Sequence, residues 1–352
     1  MLKLNKGEWS ELYVFIKLLA EARIHFGDEF LNLISDKFFD IDAVIKTEKG
    51  IDQVYFIKKD AVEIDSAIIS RLYLKQLSKE VFDQILLGRS TFEINKSEDI
   101  KKSLLLQRFS QPSANKVDLK LSLVNLLIDQ SNVYGFSIKT KFAGKSTLVN
   151  ASGKNTGFKY EITNFNSALV SKVNAIEVGG KINKRVSKII ELGGNIKFLG
   201  PTSEIYKSNL KMVDSHMDKI IGELLLCAYI ENQKTLKKAI NSNRFKTFCA
   251  EIELENQDNV IYKIKNFLNV SALGLTTGSK WDGTNEVDGG FIIVKLTGEL
   301  VGYFLFSLDK FKDYLWNNTY FETPSTTRHK FGFVYEENEH FYFDLNLQVR
   351  FT

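Results

Sequence analysis

The chain has 352 residues, of which 44% are hydrophobic and 26% are charged, a composition typical of a globular protein with a sizeable core. Its net charge is +4, and its two cysteines, Cys227 and Cys249, are too few for a disulfide scaffold or a cysteine zinc finger. The first residues lack the apolar stretch of a secretory signal, and no apolar run is long enough to span a membrane. These features predict a soluble protein of the reducing cytoplasm.

The N-terminal third predicts a helix, then small strands, then two more helices. Apolar residues recur at helical spacing over residues 8–22, which predicts an amphipathic helix. Residues 38–65 alternate short apolar runs with charged turns, a pattern typical of strands or hairpins. Helices are predicted around residues 66–87 and 97–108.

A break at Pro112 separates these elements from a predicted pair of strands. The two strands cover residues 117–129 and 132–142, and they meet at a turn around Asp129–Asn132. Residues 205–250 are predicted to be mainly helical. From about residue 259 onward the pattern predicts strands and turns.

Charge is unevenly distributed along the chain. From Glu21 to Asp65 there are 11 acids and 6 bases, whereas residues 171–190 carry 5 bases and one acid. Residues 233–246 carry 5 bases and no acid. A basic middle of this kind suits a face that binds a polyanion, and an ordinary solvated surface is the alternative.

Several familiar motifs are absent. Gly144-Lys145-Ser146 resembles the end of a phosphate-binding Walker A loop, but that motif needs a glycine where the chain has Lys139. The four histidines are scattered without metal-ligand spacing, and there is no G-x-S-x-G elbow. The sequence therefore gives no support to an NTPase, a histidine metal centre or an esterase.

The segment from Asp118 to Lys141 carries the clearest chemical pattern. Asp118 opens one apolar strand, and Ser137-Ile138-Lys139 lies 19 positions later in the next strand. If the strands pair, a carboxylate that can hold Mg²⁺ meets a lysine that can orient a water or stabilise charge on a phosphate. This is the arrangement of the PD-(D/E)xK nucleases, except that Ser137 stands where those enzymes normally have an acid.

Longer stretches of the chain resemble the HpaII family of type II restriction endonucleases. The resemblance lies in Lys6-Gly-Glu-Trp-Ser-Glu-Leu-Tyr13, Gly135-Phe-Ser-Ile-Lys-Thr-Lys141, Ser146-Thr-Leu-Val-Asn-Ala-Ser152 and Asn155-Thr-Gly-Phe158. It continues in Asp288-Gly-Gly-Phe-Ile-Ile-Val294, Glu322-Thr-Pro-Ser-Thr-Thr-Arg-His329 and Leu345-Asn-Leu-Gln-Val-Arg-Phe351. It therefore covers both ends and the middle of the chain.

The resemblance implies a Mg²⁺-dependent endonuclease that cuts duplex DNA at a short palindrome, with CCGG as the first site to test. By position, Asp118 would be the metal carboxylate, Lys139 the catalytic lysine and the Ile138 carbonyl a further ligand. Because Ser137 replaces an acid, the second carboxylate is expected from the first helix. Glu11 is the first choice and Glu8 the reserve. Lys141 is the alternative to Lys139 and a candidate DNA contact.

DNA recognition is expected to use another set of residues. Arg328 and His329 follow a turn rich in small hydroxyl side chains, and Lys280 lies in a second polar loop. Asn150, Ser152 and Asn155 follow the catalytic strand and are candidates for contacts with the DNA backbone. For each of these residues, an ordinary surface turn or cap is the alternative.

The sequence thus predicts an α/β fold with a restriction-endonuclease-like core, in which a mixed central sheet is flanked by helices and followed by a β-rich C-terminal part. The predicted domains are a catalytic core over residues 1–200 and a helical and β-rich recognition part over residues 201–352. A palindromic target suggests a homodimer, although monomers that nick twice exist in this functional class. A methyltransferase would protect the host DNA. A catalytically inactive DNA-binding protein and an enzyme acting on a small phosphorylated substrate are the alternatives.

Overall fold

The computed structural model describes residues 2–111, 116–125, 130–142, 146–305 and 308–352. The predicted break at Pro112, Asp129 of the predicted turn, and Gly144-Lys145 lie outside these residues. The rest of that predicted turn, residues 130–132, is instead the beginning of a strand. The chain forms two compact units, Met1–Ser146 with Asn285–Tyr314, and Thr147–Thr284 with Leu315–Thr352. Residues 200 and 201, between which the sequence analysis placed a domain boundary, both belong to the second unit.

Strands and helices follow in chain order. The strands are β1 (Leu4–Asn5), β2 (Arg23–Gly27), β3 (Leu33–Glu48), β4 (Ile51–Ile57), β5 (Ala61–Ile64), β6 (Ala67–Ser70), β7 (Thr91–Phe92), β8 (Leu119–Asn125), β9 (Gln130–Thr140), β10 (Thr147–Val149), β11 (Gly157–Thr163), β12 (Asn195–Pro201), β13 (Gly290–Val294), β14 (Leu300–Phe304), β15 (Thr319–Phe321), β16 (Val334–Glu337), β17 (His340–Asn346) and β18 (Val349–Phe351). The helices are α1 (Lys6–Glu21), α2 (Arg71–Leu87), α3 (Ser97–Ser103), α4 (Ser167–Asn174), α5 (Lys181–Glu191), α6 (Glu204–Val213), α7 (Met217–Ile230), α8 (Leu236–Ala239), α9 (Asn243–Glu251), α10 (Gln257–Leu273), α11 (Leu308–Asn318) and α12 (Thr326–His329).

The first unit is built on a nine-stranded mixed sheet in the order β2-β14-β13-β9-β8-β3-β4-β5-β6. Neighbouring strands are antiparallel except for β9 with β13 and β14 with β2, which are parallel. The long strand β3 pairs with β2 along its first half and with β8 along its second. The predicted α/β class with a mixed central sheet is therefore confirmed, and the last part of the chain is rich in strands as expected.

Helix α1 packs its apolar residues into the core of this unit. Asn5 caps its N-terminus, and Glu8 completes a capping box by accepting the backbone N–H of Asn5 at 2.7 Å. Trp9, Leu12 and Phe15 are fully buried, as the helical spacing predicted. This packing fixes which side of α1 faces the sheet, and so where its acidic residues lie.

Strands β8 and β9 form the predicted antiparallel pair. Leu119 lies opposite Phe136, so Asp118 comes immediately before the first paired residue of β8. On its other side β9 pairs in parallel with β13, which sets Ile292 opposite Ile138. The centre of β9 is thus held on both sides in the middle of the sheet.

The second unit contains two smaller sheets, in the orders β12-β11-β17-β16 and β10-β18-β15, around the buried helix α7. The Tyr160 hydroxyl donates to the carbonyl of Gly222 at 2.7 Å. A Cβ at Gly222 would lie 2.5 Å from the Phe198 ring, so glycine permits the close packing of α7 on β12.

Most predicted elements are confirmed, with one clear correction. Residues 257–273 were expected among strands and turns, but they form the 17-residue helix α10. Its buried residues Val260, Ile264 and Phe267 recur at helical spacing, and Asn256 caps the first turn. The second predicted helix begins at Arg71 because residues 67–70 form β6. Over the described residues, no helix has both the length and the apolar character needed to cross a membrane.

Candidate active site

The carboxylate of Asp118 is held at the point where β8 begins beside β9. Its Oδ2 accepts the backbone N–H of Ile138 at 2.6 Å and the Ser137 hydroxyl at 3.1 Å. Its own N–H donates to the Phe136 carbonyl at 2.9 Å, which extends the pairing of the two strands by one bond. Its Oδ1 accepts no hydrogen bond from the described residues, so one carboxylate oxygen is available to a ligand.

Lys139 joins the same group through Ser137. The Lys139 Nζ donates to the Ser137 Oγ at 2.9 Å and lies 5.8 Å from the centre of the Phe291 ring. Because Phe291 lies opposite Ser137 on β13, the parallel pairing of β9 and β13 positions this ring. The structure therefore brings Asp118, Ser137 and Lys139 together, as the spacing predicted.

Glu11 lies close enough to Asp118 for the two carboxylates to repel each other. Burial, and then the charge of Asp118, raise the pKa of Glu11 to about 8. Its Oε2 accepts the backbone N–H of Gln111 at 2.7 Å, while its Oε1 accepts no hydrogen bond from the described residues. Burial likewise raises the pKa of Asp118, and the charge of Lys139 opposes that rise.

Glu8 faces different surroundings. Both its side chain and its backbone N–H are engaged in the capping box with Asn5. It lies in the first turn of α1, three residues before Glu11, and within the described residues its side chain hydrogen-bonds to Asn5. Lys141 is half-buried at the end of β9, where burial lowers its pKa.

A buried lysine, Lys46, completes the electrostatic surroundings of Glu11. It lies on β3, and its Nζ donates to the Phe109 carbonyl at 2.9 Å. Burial lowers the pKa of Lys46 to about 8, while the charges of Glu11 and Glu48 act in the opposite direction. Nothing in the sequence marked Lys46 or Gln111, because both approach the site through long-range packing.

A pocket of about 220 Å³ opens beside Asp118. Its lining includes Lys116, Lys120, Gln111 and Glu286. Burial, followed by the positive charge of Lys139, lowers the pKa of Lys116. An anionic group entering this pocket would meet positive charge next to the Asp118 carboxylate.

The donor atoms at this site suit a hard divalent cation. Asp118 and Glu11 each present one carboxylate oxygen, and the Ile138 carbonyl points to the same side of β9 as the N–H that binds Asp118. Across the described ranges no group of three or more His, Cys, Asp or Glu side chains could hold a metal. A cation bound here would complete its shell with water and substrate oxygens, as Mg²⁺ commonly does.

The predicted DNA contacts of the second unit gather around one short 3-10 helical turn, Gly153–Thr156, named the Gly153 turn. The backbone N–H of Gly153 donates to the His329 Nδ1 at 3.1 Å, and the Asn155 Nδ2 donates to the Ser152 Oγ at 3.3 Å. A Cβ at Gly278 would lie 3.0 Å from the Asn155 Nδ2, so the loop that carries Lys280 also reaches this turn. Arg328 precedes His329 in the short helix α12, and Asn150 is exposed just before the turn.

The basic stretch at residues 171–190 is only partly available to a ligand. Arg185 is fully buried, and its guanidinium donates to the carbonyls of Asn174, Ile176 and Gly332. Lys181 forms an ion pair with Glu177 at 2.8 Å. The expectation that this whole stretch contributes to a polyanion-binding face is therefore wrong for Arg185, which has a structural role.

Comparison with known proteins gives a family and a relative that spans nearly the whole chain. The family model of the HpaII restriction endonucleases matches residues 5–351. The type II restriction enzyme HpaII of Haemophilus parainfluenzae is 30% identical to the chain, over 99% of the chain and 98% of the relative. No solved structure gives a significant match.

Proposed function

Because the chain belongs to the HpaII restriction endonuclease family and is a type II site-specific endonuclease, we propose that it hydrolyses both strands of DNA at CCGG in a Mg²⁺-dependent reaction. The observation that carries the proposal is the set of hydrogen bonds from Lys139 through Ser137 to Asp118, with the Glu11 carboxylate beside it. The CCGG site is what the resemblance of the sequence implies.

Asp118 and Glu11 are proposed to hold the cation, together with the Ile138 carbonyl. Two half-buried carboxylates that repel each other are stabilised when a divalent cation lies between them. When bound, Mg²⁺ polarises the scissile phosphate and lowers the pKa of a bound water. Ser137 and Gln111 keep the two carboxylates in place by donating to one oxygen of each.

Lys139 is proposed to orient the attacking water and to stabilise the charge that develops on the phosphate. The water oxygen forms a bond to phosphorus while the bond from phosphorus to the 3′ oxygen breaks. The products are a 5′-phosphate and a 3′-hydroxyl. Lys116, which lines the pocket beside Asp118, adds positive charge where the phosphate would enter.

Recognition is proposed to use the cluster around the Gly153 turn. Arg328, His329, Ser152 and Asn155 lie together there, with Lys280 on the neighbouring loop and Asn150 just before the turn. Arginine and lysine suit guanine and phosphate oxygens, and serine and asparagine suit the DNA backbone. Lys141, on the catalytic strand, is proposed as a further DNA contact.

Two partners follow from the proposal. A palindromic site is most simply cut by a two-fold symmetric homodimer, in which each protomer cuts one strand. A DNA methyltransferase that modifies the same site would protect the host DNA. No direct contact between the methyltransferase and this chain is implied.

The test is cleavage of matched oligonucleotide duplexes. One duplex carries a central CCGG and the others carry single-base changes within it, each incubated with Mg²⁺ or with EDTA. The proposal predicts cleavage of the CCGG duplex alone, only with Mg²⁺, and with 5′-phosphate ends. Cleavage in EDTA would contradict the metal assignment, and cleavage of a different sequence would contradict the CCGG assignment.

A further inference from the structure

The second unit contains a cavity of about 660 Å³ whose charged lining is mostly basic. Bases outnumber acids five to two, and the charged residues are Lys154, Lys159, Lys207, Arg328, Lys330, Glu204 and Asp344. The cavity lies among the Gly153 turn, α12 and strands β11, β12 and β17. An excess of positive charge in a concave site favours an anionic ligand.

Some of these charges are already neutralised within the protein. Lys207 pairs with Glu204 at 3.2 Å, and Lys159 pairs with Glu337 at 3.2 Å while also lying over the Tyr342 ring. Three other basic residues of the cavity lining form no ion pair within the described part of the chain. They are Lys154, Arg328 and Lys330. Their positive charge is therefore available to a ligand.

The turn that carries Lys154 is rigidly held by three other elements. The Gly153 N–H donates to His329 of α12 at 3.1 Å, and the Gly153 carbonyl accepts the Asn346 Nδ2 of β17 at 2.6 Å. The Thr202 hydroxyl donates to the Lys154 carbonyl at 2.6 Å. The backbone at Lys154 is thus fixed before any ligand arrives, which lowers the entropy lost on binding.

His329 contributes a neutral donor to the same cavity. Because its Nδ1 accepts the Gly153 N–H, the proton of the neutral ring is on Nε2. Burial, followed by the charge of Arg328, lowers the pKa of His329, which favours the neutral ring. An imidazole N–H of this kind can donate to a phosphate oxygen without adding charge.

We propose that this cavity binds a phosphodiester group of the DNA backbone, through ionic contacts from Lys154, Arg328 and Lys330 and a hydrogen bond from His329. The inference rests on the proposed function, which makes DNA the ligand. Two lysines act as point charges that suit phosphate oxygens, whereas base readout favours bidentate groups. Lys154 and Lys330 are additional to the contacts expected from the sequence.

The test is the salt dependence of duplex binding in EDTA, in which the proposed cleavage does not run. The double variant Lys154→Gln with Lys330→Asn removes two charges; asparagine suits position 330 because its φ of 51° is in the left-handed region. Because one phosphate is proposed to bind here, its loss should reduce the slope of log affinity against log salt by up to about 0.9. Affinity at moderate salt should fall on the order of tenfold.

The control is Lys219→Gln, which removes an exposed lysine of α7 from the same unit. Binding is measured with a CCGG duplex and with a random duplex of equal length, and thermal unfolding confirms that each variant is folded. The proposal predicts an equal loss of slope for both duplexes in the double variant and none in the control. The charge-conserving variant Lys154→Arg should keep the wild-type slope.

Three results would overturn the inference, and they are distinguishable. If the wild type cuts DNA and the double variant keeps the wild-type slopes, the phosphate site is refuted. The nuclease proposal is unaffected by that result. A loss confined to the CCGG duplex would indicate base readout instead of phosphate binding. A wild-type protein that neither binds nor cuts any duplex would refute both proposals.

Discussion

The Lys139 Nζ donates to the Ser137 Oγ at 2.9 Å, and the same hydroxyl donates to the Asp118 carboxylate at 3.1 Å. Ser137 stands where the PD-(D/E)xK pattern has an acid, and its side chain adds no charge beside Asp118. Its hydroxyl instead joins the carboxylate to the lysine and fixes the distance between them. The carboxylate proposed as the second metal ligand is that of Glu11, which lies on helix α1.

The lysine assignment is tested by comparing Lys139→Ala with Lys141→Ala. Loss of Lys139 should reduce the cleavage rate by at least about 10³-fold while leaving duplex affinity within a few fold, because its proposed role is in the chemical step. Lys141→Ala should retain most of the rate. Single-turnover cleavage and equilibrium binding measure the two effects. A Lys139→Ala enzyme that cuts at the wild-type rate would refute the assignment.

The bridging role of Ser137 is tested by Ser137→Ala and Ser137→Thr. Alanine removes both hydrogen bonds and should slow cleavage about 10- to 100-fold, the usual range for a residue that orients a metal ligand. Threonine keeps the hydroxyl and suits a strand, so it should recover most of the activity. The Mg²⁺ concentration for half-maximal cleavage should rise for alanine only. Equal rates for all three proteins would contradict this role.

Glu11→Gln and Glu8→Gln form a matched pair on one helix. Glu11→Gln should abolish cleavage and weaken Mg²⁺ binding, because it removes one of two proposed metal carboxylates. Glu8→Gln should leave the cleavage rate unchanged and cost about 0.5–1 kcal/mol of stability through a weakened cap. Mg²⁺ titration of cleavage and urea unfolding distinguish them. If Glu8→Gln is the inactive variant, the reserve candidate is the correct one.

The raised pKa of Glu11 predicts how stability depends on pH without metal. Between pH 4.5 and 8 Glu11 keeps its proton in the folded protein but releases it in the unfolded chain. The stability that this bound proton gives the folded state is therefore lost as the pH rises. The free energy of unfolding of Glu11→Gln, measured relative to that of the wild type, should therefore increase by about 1–3 kcal/mol between pH 5 and pH 8. Lys46, with its pKa lowered to about 8, acts in the opposite direction above that range.

Urea unfolding in EDTA at pH 5, 6.5 and 8 measures this difference. The same protonation competes with cation binding, so the apparent Mg²⁺ affinity of the wild type should increase over that pH range. Parallel stability profiles for wild type and Glu11→Gln would contradict a raised pKa at Glu11.

The sequence was sufficient to predict those helices and strands whose apolar residues are spaced as their secondary structure requires. Helix α1 was predicted from the helical spacing of its apolar residues, and the pair β8 and β9 from two apolar runs that follow each other in the chain. The cap and the burial of α1 in the structure agree with that pattern. Helix α10 was missed because Val260, Ile261 and Ile264 are β-branched, although its apolar spacing and the Asn256 cap carried a helix signal. The parallel pairing of β9 with β13 joins residues about 150 positions apart, and no local pattern predicts such a pairing.

The site was predictable only where its residues follow one another along the chain. Asp118, Ser137 and Lys139 come from strands that are adjacent in the chain, so their spacing predicted that they would meet if the two strands paired. Their roles were assigned from the family resemblance. Gln111, Lys46 and Lys116 come from other segments and reach the site only when the chain folds. The preference for Glu11 over Glu8 came from resemblance, and the capping of α1 supplies a physical reason for it.

The most direct test of the account is digestion of a sequenced plasmid by wild-type protein and by Asp118→Asn, each with Mg²⁺ and with EDTA, followed by sequencing of the fragment ends. The account predicts discrete fragments from the wild type with Mg²⁺ alone, all ending at one short palindrome. Asp118→Asn should leave the plasmid intact and still bind duplex DNA. Discrete fragments from Asp118→Asn at the wild-type rate would show that the active site lies elsewhere.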